Sequence, residues 1–261
     1  MDYQYANVIK ENHVTTVEVN NAPANALSSA VIGELRNLFQ TLANDDETRV
    51  IILTGAGRFF VAGADIKEFV SVMEEEEKAL AMSEAGQELC NEIEAMRKPV
   101  IASINGPALG GGLELAMSCH FRIASDAATL GLPELKLGLI PSFGGTQRLS
   151  KITGPATALN LILSSKQLNS EEVADLGIVQ FVVQQEELLP TTVALAQSLV
   201  EGKSMTSVTR AVECIMQGHT EKMADGLERE RKKFAELFLT KDAKEGVQAF
   251  IEKRKPNFTH S

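Results

Sequence analysis

The run Val50-Ile51-Ile52-Leu53-Thr54 is apolar at nearly every position and stops at Gly55-Ala56-Gly57, and this limits the folds open to the chain. A strand with one wet face alternates apolar and polar residues, whereas an unbroken aliphatic run fits a strand covered on both faces. Val100-Ile101-Ala102-Ser103-Ile104 repeats the pattern and is closed by Asn105-Gly106-Pro107. Helices must supply the cover. Ser28 is placed to cap one, with Val31, Leu35, Leu38, Phe39 and Leu42 on a single face and Asn44-Asp45-Asp46 at its end. Val14-Thr15-Thr16-Val17-Glu18-Val19, β-branched and roughly alternating, reads as a further strand. Strands alternating with helices predict an α/β architecture.

Glu74-Glu75-Glu76-Glu77 lies in a glycine-poor segment rich in Ala, Leu, Met and Glu, which predicts a solvated helix. Leu168-Asn169-Ser170-Glu171-Glu172, followed by Ala174, Leu176 and Gly177, predicts a short capped helix leading into a strand over Val179-Gln180-Phe181-Val182-Val183. From about Leu188 to Glu252 strand signals are absent, so the C-terminal section is expected to be helical. No low-complexity linker and no repeat of fixed period interrupts the chain.

Composition narrows the function classes. The net charge of -10 on 261 residues opposes general binding to nucleic acid or to an anionic membrane, both of which need a basic face. An anionic small molecule held by backbone N–H groups remains compatible with it. Cys90, Cys119 and Cys214 are odd in number and widely spaced, which suits reduced thiols. His13, His120, His219 and His260 lack metal-ligand spacing, so no metal is expected. Met1-Asp2-Tyr3-Gln4-Tyr5 carries no signal-peptide pattern and no apolar run is long enough to span a bilayer, so a soluble, cytoplasmic protein is expected.

Chemistry is concentrated in two glycine-marked segments and two glutamates. Gly110-Gly111-Gly112 follows a predicted strand and turn and precedes the helix formers Leu113 to Met117, so its N–H groups stand at a helix start, where negative charge is favoured. Ala62-Gly63-Ala64 follows the Val50 strand and offers a second N–H donor, as an enolate or thioester oxyanion requires. Glu114 sits in the apolar run after the glycines, and Glu134 follows Pro133. A carboxylate in apolar company is costly unless bonded or neutralised, and two of them can divide acid and base duties. Taken singly, each segment also fits an ordinary turn and each glutamate a wet surface. A dinucleotide loop at Gly55-Ala56-Gly57 is disfavoured, because Phe60 stands where the third glycine belongs.

Together these segments resemble the crotonase (enoyl-CoA hydratase/isomerase) family. The likeness runs from about Asn7 to Phe258 through Asn25-Ala26-Leu27, Ala62-Gly63-Ala64-Asp65-Ile66-Lys67-Glu68, Lys98 to Ala102, Asn105-Gly106, Leu109 to Met117, Ile140-Pro141 and Gly144 to Leu149. It implies a spiral of ββα units over residues 1–200 and a helical trimerisation section over 201–261, assembled as a homotrimer or a dimer of trimers. It further implies an oxyanion hole from the N–H groups of Ala62 and Gly111. Contacts to the acyl-CoA thioester would come from Ala24, Ala26, Leu27, Ala64, Asp65, Ile66, Gly110, Pro133 and Ser142. Coenzyme A would enter as part of the substrate, with no separate cofactor.

Retention of both family glutamates favours hydration of a 2-enoyl-CoA to a 3-hydroxyacyl-CoA, in fatty-acid or related metabolism, with Glu114 as base and Glu134 as acid. The alternatives are a double-bond isomerase, a specialised acyl-CoA lyase or hydrolase, and a catalytically silent scaffold or RNA-binding relative. One departure stands out: Ser142 follows Ile140-Pro141 where many hydratases have glycine. Lys253, Arg254 and Lys255 fit either a charged helix end or contact with coenzyme A phosphates across a subunit boundary.

Overall fold

The computed structural model describes residues 3–261. Strands β1 (Ala6–Glu11) and β2 (Val14–Val19) form an antiparallel hairpin. Its two-residue turn, Asn12-His13, has positive φ at both positions, the geometry that matches the twist of the flanking strands. Strand β3 (Val50–Gly55) lies parallel to β2, and β4 (Val100–Ile104) parallel to β3, with Ile51 opposite Val100 and Leu53 opposite Ala102.

A second, narrower layer of strands begins with β5 (Ala108–Leu109). The main sheet continues through β6 (Phe121–Ser125), the narrow one through β7 (Thr129–Gly131) and β8 (Gln167–Asn169), and β9 (Phe181–Val183) closes the main sheet. The orders are β1-β2-β3-β4-β6-β9 and β5-β7-β8. Single bridges Leu27↔Ala64 and Val61↔Ala108 extend the narrow layer backwards. Each turn of the chain thus lays down a long strand, a short one and then a helix. This is the spiral of ββα units that the resemblance implied.

Helix α1 (Ser29–Ala43) is capped by Ser28, whose hydroxyl accepts from Val31 N at 3.2 Å. It buries Val31, Leu35, Leu38, Phe39 and Leu42 as expected, together with Ile32. Full burial of such side chains is worth about 1.5–3 kcal/mol each, an upper figure because the unfolded chain is already partly compact. After the short α2 (Ile66–Val70) comes α3 (Glu76–Glu94), whose Leu89, Cys90 and Ile93 join the same core. The acidic run is only partly helical: Glu74 has φ 64° and Glu75 is the cap residue, so the helix starts at Glu76.

Helices α4 (Gly111–Ser118), α5 (Gly145–Thr153), α6 (Pro155–Ser164) and α7 (Ser170–Asp175) complete the spiral. Asn169 and Glu172 form a capping box at α7. Leu168 belongs to β8 rather than to the helix, held opposite Leu130 by strand pairing. The strand predicted from Val179 starts at Phe181.

Helix α8 (Leu188–Val200) explains the unbroken apolar strands. Ile51 and Leu53 face the main core, while Val50, Ile52, Ile101 and Ile123 point the other way, against Leu188, Ala196 and Val200. Beyond it, α9 (Met205–Gly218) and α10 (Met223–Leu237) pack on each other. Helix α11 (Lys241–Glu252) is tied to the chain end through Asp242, which accepts from Thr259 N and His260 N. Ile215, Phe234, Phe238, Phe250 and Ile251 are exposed on these last helices. No helix among the described residues is long and apolar enough to cross a membrane.

Candidate active site

The glycine run begins with Gly110, at φ 51°, whose N–H donates to Gly131 O at 2.9 Å and whose carbonyl closes the first turn of α4 through Glu114 N. Gly112 is required by proximity: a Cβ there would lie 2.0 Å from the carbonyl oxygen of Val61. This close approach brings the start of α4 against the Val61–Ala64 segment. Asn25 and Asn105 fix that segment from behind. Asn25 Nδ2 donates to the carbonyls of Ala56 and Phe59, and Asn105 Nδ2 to those of Gly55 and Gly57.

The geometry corrects one expected donor. Ala62 N–H is spent on Ala24 O at 3.0 Å, as part of a short pairing in which Leu27 N donates to Gly63 O and Asp65 N to Leu27 O. The N–H of Ala64 has no acceptor among the described residues, and a Cβ on Gly111 would stand 3.5 Å from it. Gly111 N–H, first in α4, is likewise without an acceptor among the described residues. The two free N–H groups side by side are those of Ala64 and Gly111.

Glu114 is 2 % exposed on a helix whose eight residues are all buried. Its Oε1 accepts from Phe143 N at 2.8 Å and Gly145 N at 2.6 Å. Burial pushes its carboxyl up to about 7 against these two bonds, with the nearby Glu134 charge adding to the rise and Arg148 opposing it. Glu134 opens a 3-10 turn (Glu134–Leu137) that ends at left-handed Gly138. Its Oε1 lies against Gly110, where a Cβ would be 3.0 Å away, and its buried Oε2 has no partner among the described residues. Burial raises its carboxyl as well.

A carboxyl whose pKa is higher in the folded than in the unfolded chain favours the fold most when protonated. Its contribution is full below pH 4.5 and disappears as pH rises through about 7, a change of roughly 3 kcal/mol. Glu114→Gln, which keeps an acceptor for the two N–H groups, is therefore expected to remove this loss. Chemical denaturation at pH 5 and pH 8 checks it, the variant gaining stability over wild type at the higher pH.

Both glutamates open into one cavity of about 600 Å3. Its polar floor is made by Ala62, Gly63, Ala64, Gly110, Gly111 and the two carboxyls, with Pro133 beside them. Ile66 and Ser142 also line it. Ala24, Ala26, Leu27 and Asp65 do not. The first three run along the outer edge of the 62–65 segment, and Asp65 caps α2 by accepting from Lys67 N at 3.0 Å. The apolar wall comes from Phe69, Val72, Met73, Met82, Leu139 and Phe143, none of which sequence reasoning singled out. Phe143 could have been sought through Gly86, since any Cβ at that glycine would strike its ring. Ser142 is held through its carbonyl, which accepts from Ser83 Oγ at 3.0 Å and Gln87 Nε2 at 2.9 Å.

Other titratable groups have structural partners. His120 Nδ1 accepts from Val100 N, its other ring nitrogen lies 3.2 Å from Glu94 O, and burial lowers its pKa. Cys90 and Cys119 are buried free thiols pushed up to about 12. Lys253, Arg254 and Lys255 are all exposed, and Arg254 is paired with Glu245 and Glu252. Among the described residues no group of three or more His, Cys, Asp or Glu side chains is arranged to hold a metal.

Residues 9–261 match the family described as enoyl-CoA hydratase/isomerase. A probable enoyl-CoA hydratase of Bacillus subtilis is 47% identical over 249 residues, covering 95% of this chain and 96% of that protein. A crotonyl-CoA hydratase of Syntrophomonas wolfei is 40% identical over 260 residues, covering 97% and 98%. The crystal structure of an enoyl-CoA hydratase from Bacillus anthracis superposes with a TM-score of 0.93 at 37% identity, covering 99% of this chain and all of that one. A ββα spiral with two carboxyls facing a pair of free N–H groups, matched over nearly its whole length, places this chain in the enoyl-CoA hydratase/isomerase family.

Proposed function

We propose that the protein is an enoyl-CoA hydratase that adds water reversibly across the 2,3 double bond of a 2-enoyl-CoA. The observation that carries the reading is the presence of two raised carboxyls, Glu114 buried and Glu134 half-buried, in one largely apolar cavity beside two unpaired N–H groups. The thioester oxygen sits between Ala64 N and Gly111 N, where charge developing in the transition state is stabilised without reorganisation. Water attacks Cβ, Glu114 takes its proton, and Glu134 delivers a proton to Cα. The electron pair of the double bond passes through the enolate-like thioester and ends in the new Cα–H bond.

This scheme needs one proton shared by the pair. Burial raises both carboxyls and they titrate as a coupled pair, so the shared proton belongs to the pair. Hydration starts with that proton on Glu134, and the reverse reaction starts with it on Glu114. The apolar wall suits the acyl chain, and coenzyme A would cross the edge formed by Ala24, Ala26, Leu27 and Asp65. Exposed Phe234, Phe238, Phe250 and Ile251 support a homotrimer, or a dimer of trimers, built through the C-terminal helices. Three free cysteines support a cytoplasmic setting.

Incubation with crotonyl-CoA is expected to consume the conjugated thioester and yield 3-hydroxybutyryl-CoA by mass. With 3-enoyl-CoA substrates, faster conversion to the 2-enoyl isomer than hydration of crotonyl-CoA would assign the isomerase reading instead. The free-enzyme kcat/KM should be bell-shaped, falling on the alkaline side near pH 7 as the shared proton is lost and on the acid side as a second proton binds. A flat profile from pH 5 to 9 would count against the shared proton.

A further inference from the structure

Glu114 is held by a turn, and the turn is held by something else. Phe143 and Gly145 supply the two N–H groups that fix Oε1 of Glu114. Between them the chain passes through Gly144 at φ 105°, a conformation with no rigidity of its own. Arg148 closes it from below. Its Nη1 donates to Phe143 O at 2.9 Å and its backbone N to Gly144 O at 2.8 Å. The far side of the guanidinium is gripped by the last turns of α3: Nε and Nη2 donate to Glu94 Oε2 at 3.1 and 2.7 Å, and Nη2 to Asn91 Oδ1 at 2.8 Å. Arg148 is 8 % exposed, so this fork is shielded from water.

We propose that Arg148 is a positioning residue for Glu114: its guanidinium, clamped by Asn91 and Glu94, sets the Phe143-Gly144-Gly145 turn whose N–H groups hold the carboxyl. The role rests on the hydratase reading for its kinetic consequence and on the bonds alone for its structural one. A planar fork with fixed donors suits it, because three acceptors in different directions must be met at once. A lysine ammonium supplies the charge without that geometry.

The same guanidinium acts on Glu114 through space. The groups that bear on Glu114 are Glu134 from the 3-10 turn, which raises its pKa, Arg148 from α5, which lowers it, and the Cys90 thiol of α3, which is neutral at ordinary pH. Glu94 is ion-paired with Arg148 at 2.7 Å. Removing the cation therefore loosens the turn and raises the Glu114 carboxyl further.

The test uses the full chain with R148M and R148K, beside Leu38→Ala as a core change remote from the cavity. Steady-state kinetics with crotonyl-CoA, the pH profile and a carbon-13 titration of the Glu114 carboxyl are read for each. R148M is expected to lower kcat by ~10²-fold, the size of effect that about 1 Å of misplacement produces, with KM within about threefold. Its Glu114 titration and alkaline limb move to higher pH. R148K keeps the titration in place and loses about tenfold in kcat. L38A lowers the melting temperature without shifting the titration. R148M with kcat within twofold of wild type, or with an unmoved Glu114 titration, overturns the proposal. If R148M does not fold, R148K with unchanged kcat overturns it. The titration is read without substrate, so a wild-type enzyme that fails to hydrate crotonyl-CoA sinks the functional reading and leaves this one to be decided by the carboxyl signal.

Discussion

Glu114→Gln and Glu134→Gln each lower kcat for crotonyl-CoA hydration by about 10²–10⁴-fold while the protein stays folded. That is the range in which a positioned acid or base contributes. Gln at either position keeps the shape and the acceptor oxygen but cannot exchange a proton, so the loss falls on kcat and leaves KM nearly unchanged. Because the two carboxyls handle a single proton between them, the double variant should be little worse than the poorer single one. Full turnover in either single variant would remove that residue from the mechanism.

The second large effect concerns a single backbone atom. Replacing the Ala64 amide by an ester, through incorporation of lactic acid at that position, deletes one hydrogen-bond donor and no side chain. The expected result is a loss of about 10²–10³-fold in kcat with little change in melting temperature. The same replacement at Ala62 removes the bond to Ala24 O instead, and should cost about 0.5–1.5 kcal/mol of stability with kcat nearly intact. Equal catalytic losses at both positions would mean that the oxyanion is held differently.

That contrast also shows where sequence reasoning reached its limit. Ala62 and Ala64 flank the same glycine and carry the same side chain, so nothing local separates them. They differ in the partner of each N–H, which depends on a pairing with residues nearly forty positions away. Strands β3 and β4 were legible because burial on two faces leaves a composition that no surface strand shows. The two carboxyls and Gly111 were legible because apolar neighbours and a helix start mark them within a few residues. Phe69, Met82 and Phe143 were not, since an apolar residue lining a cavity has the same chemistry as one filling a core. Glu74 and Glu75 show the converse, as a helix-like composition does not reveal that a left-handed residue precedes the first turn. Arg148 could not be chosen from sequence because its value lies in three partners drawn from α3 and the turn before α5.

The order of the main sheet, β1-β2-β3-β4-β6-β9, follows the order of the chain. Each strand leaving the ribosome therefore meets an edge already laid down by its predecessor, and none has to wait for a later segment or be inserted between two others. Since domains emerge at about 5–20 residues per second, far more slowly than local pairing forms, the sheet can grow by accretion during synthesis. Helix α8, which covers the second face of β3 and β4, is made after every strand it shields. A chain released before Leu188 would carry every strand of the sheet with one apolar face still bare, and that is the form in which a chaperone has most to protect.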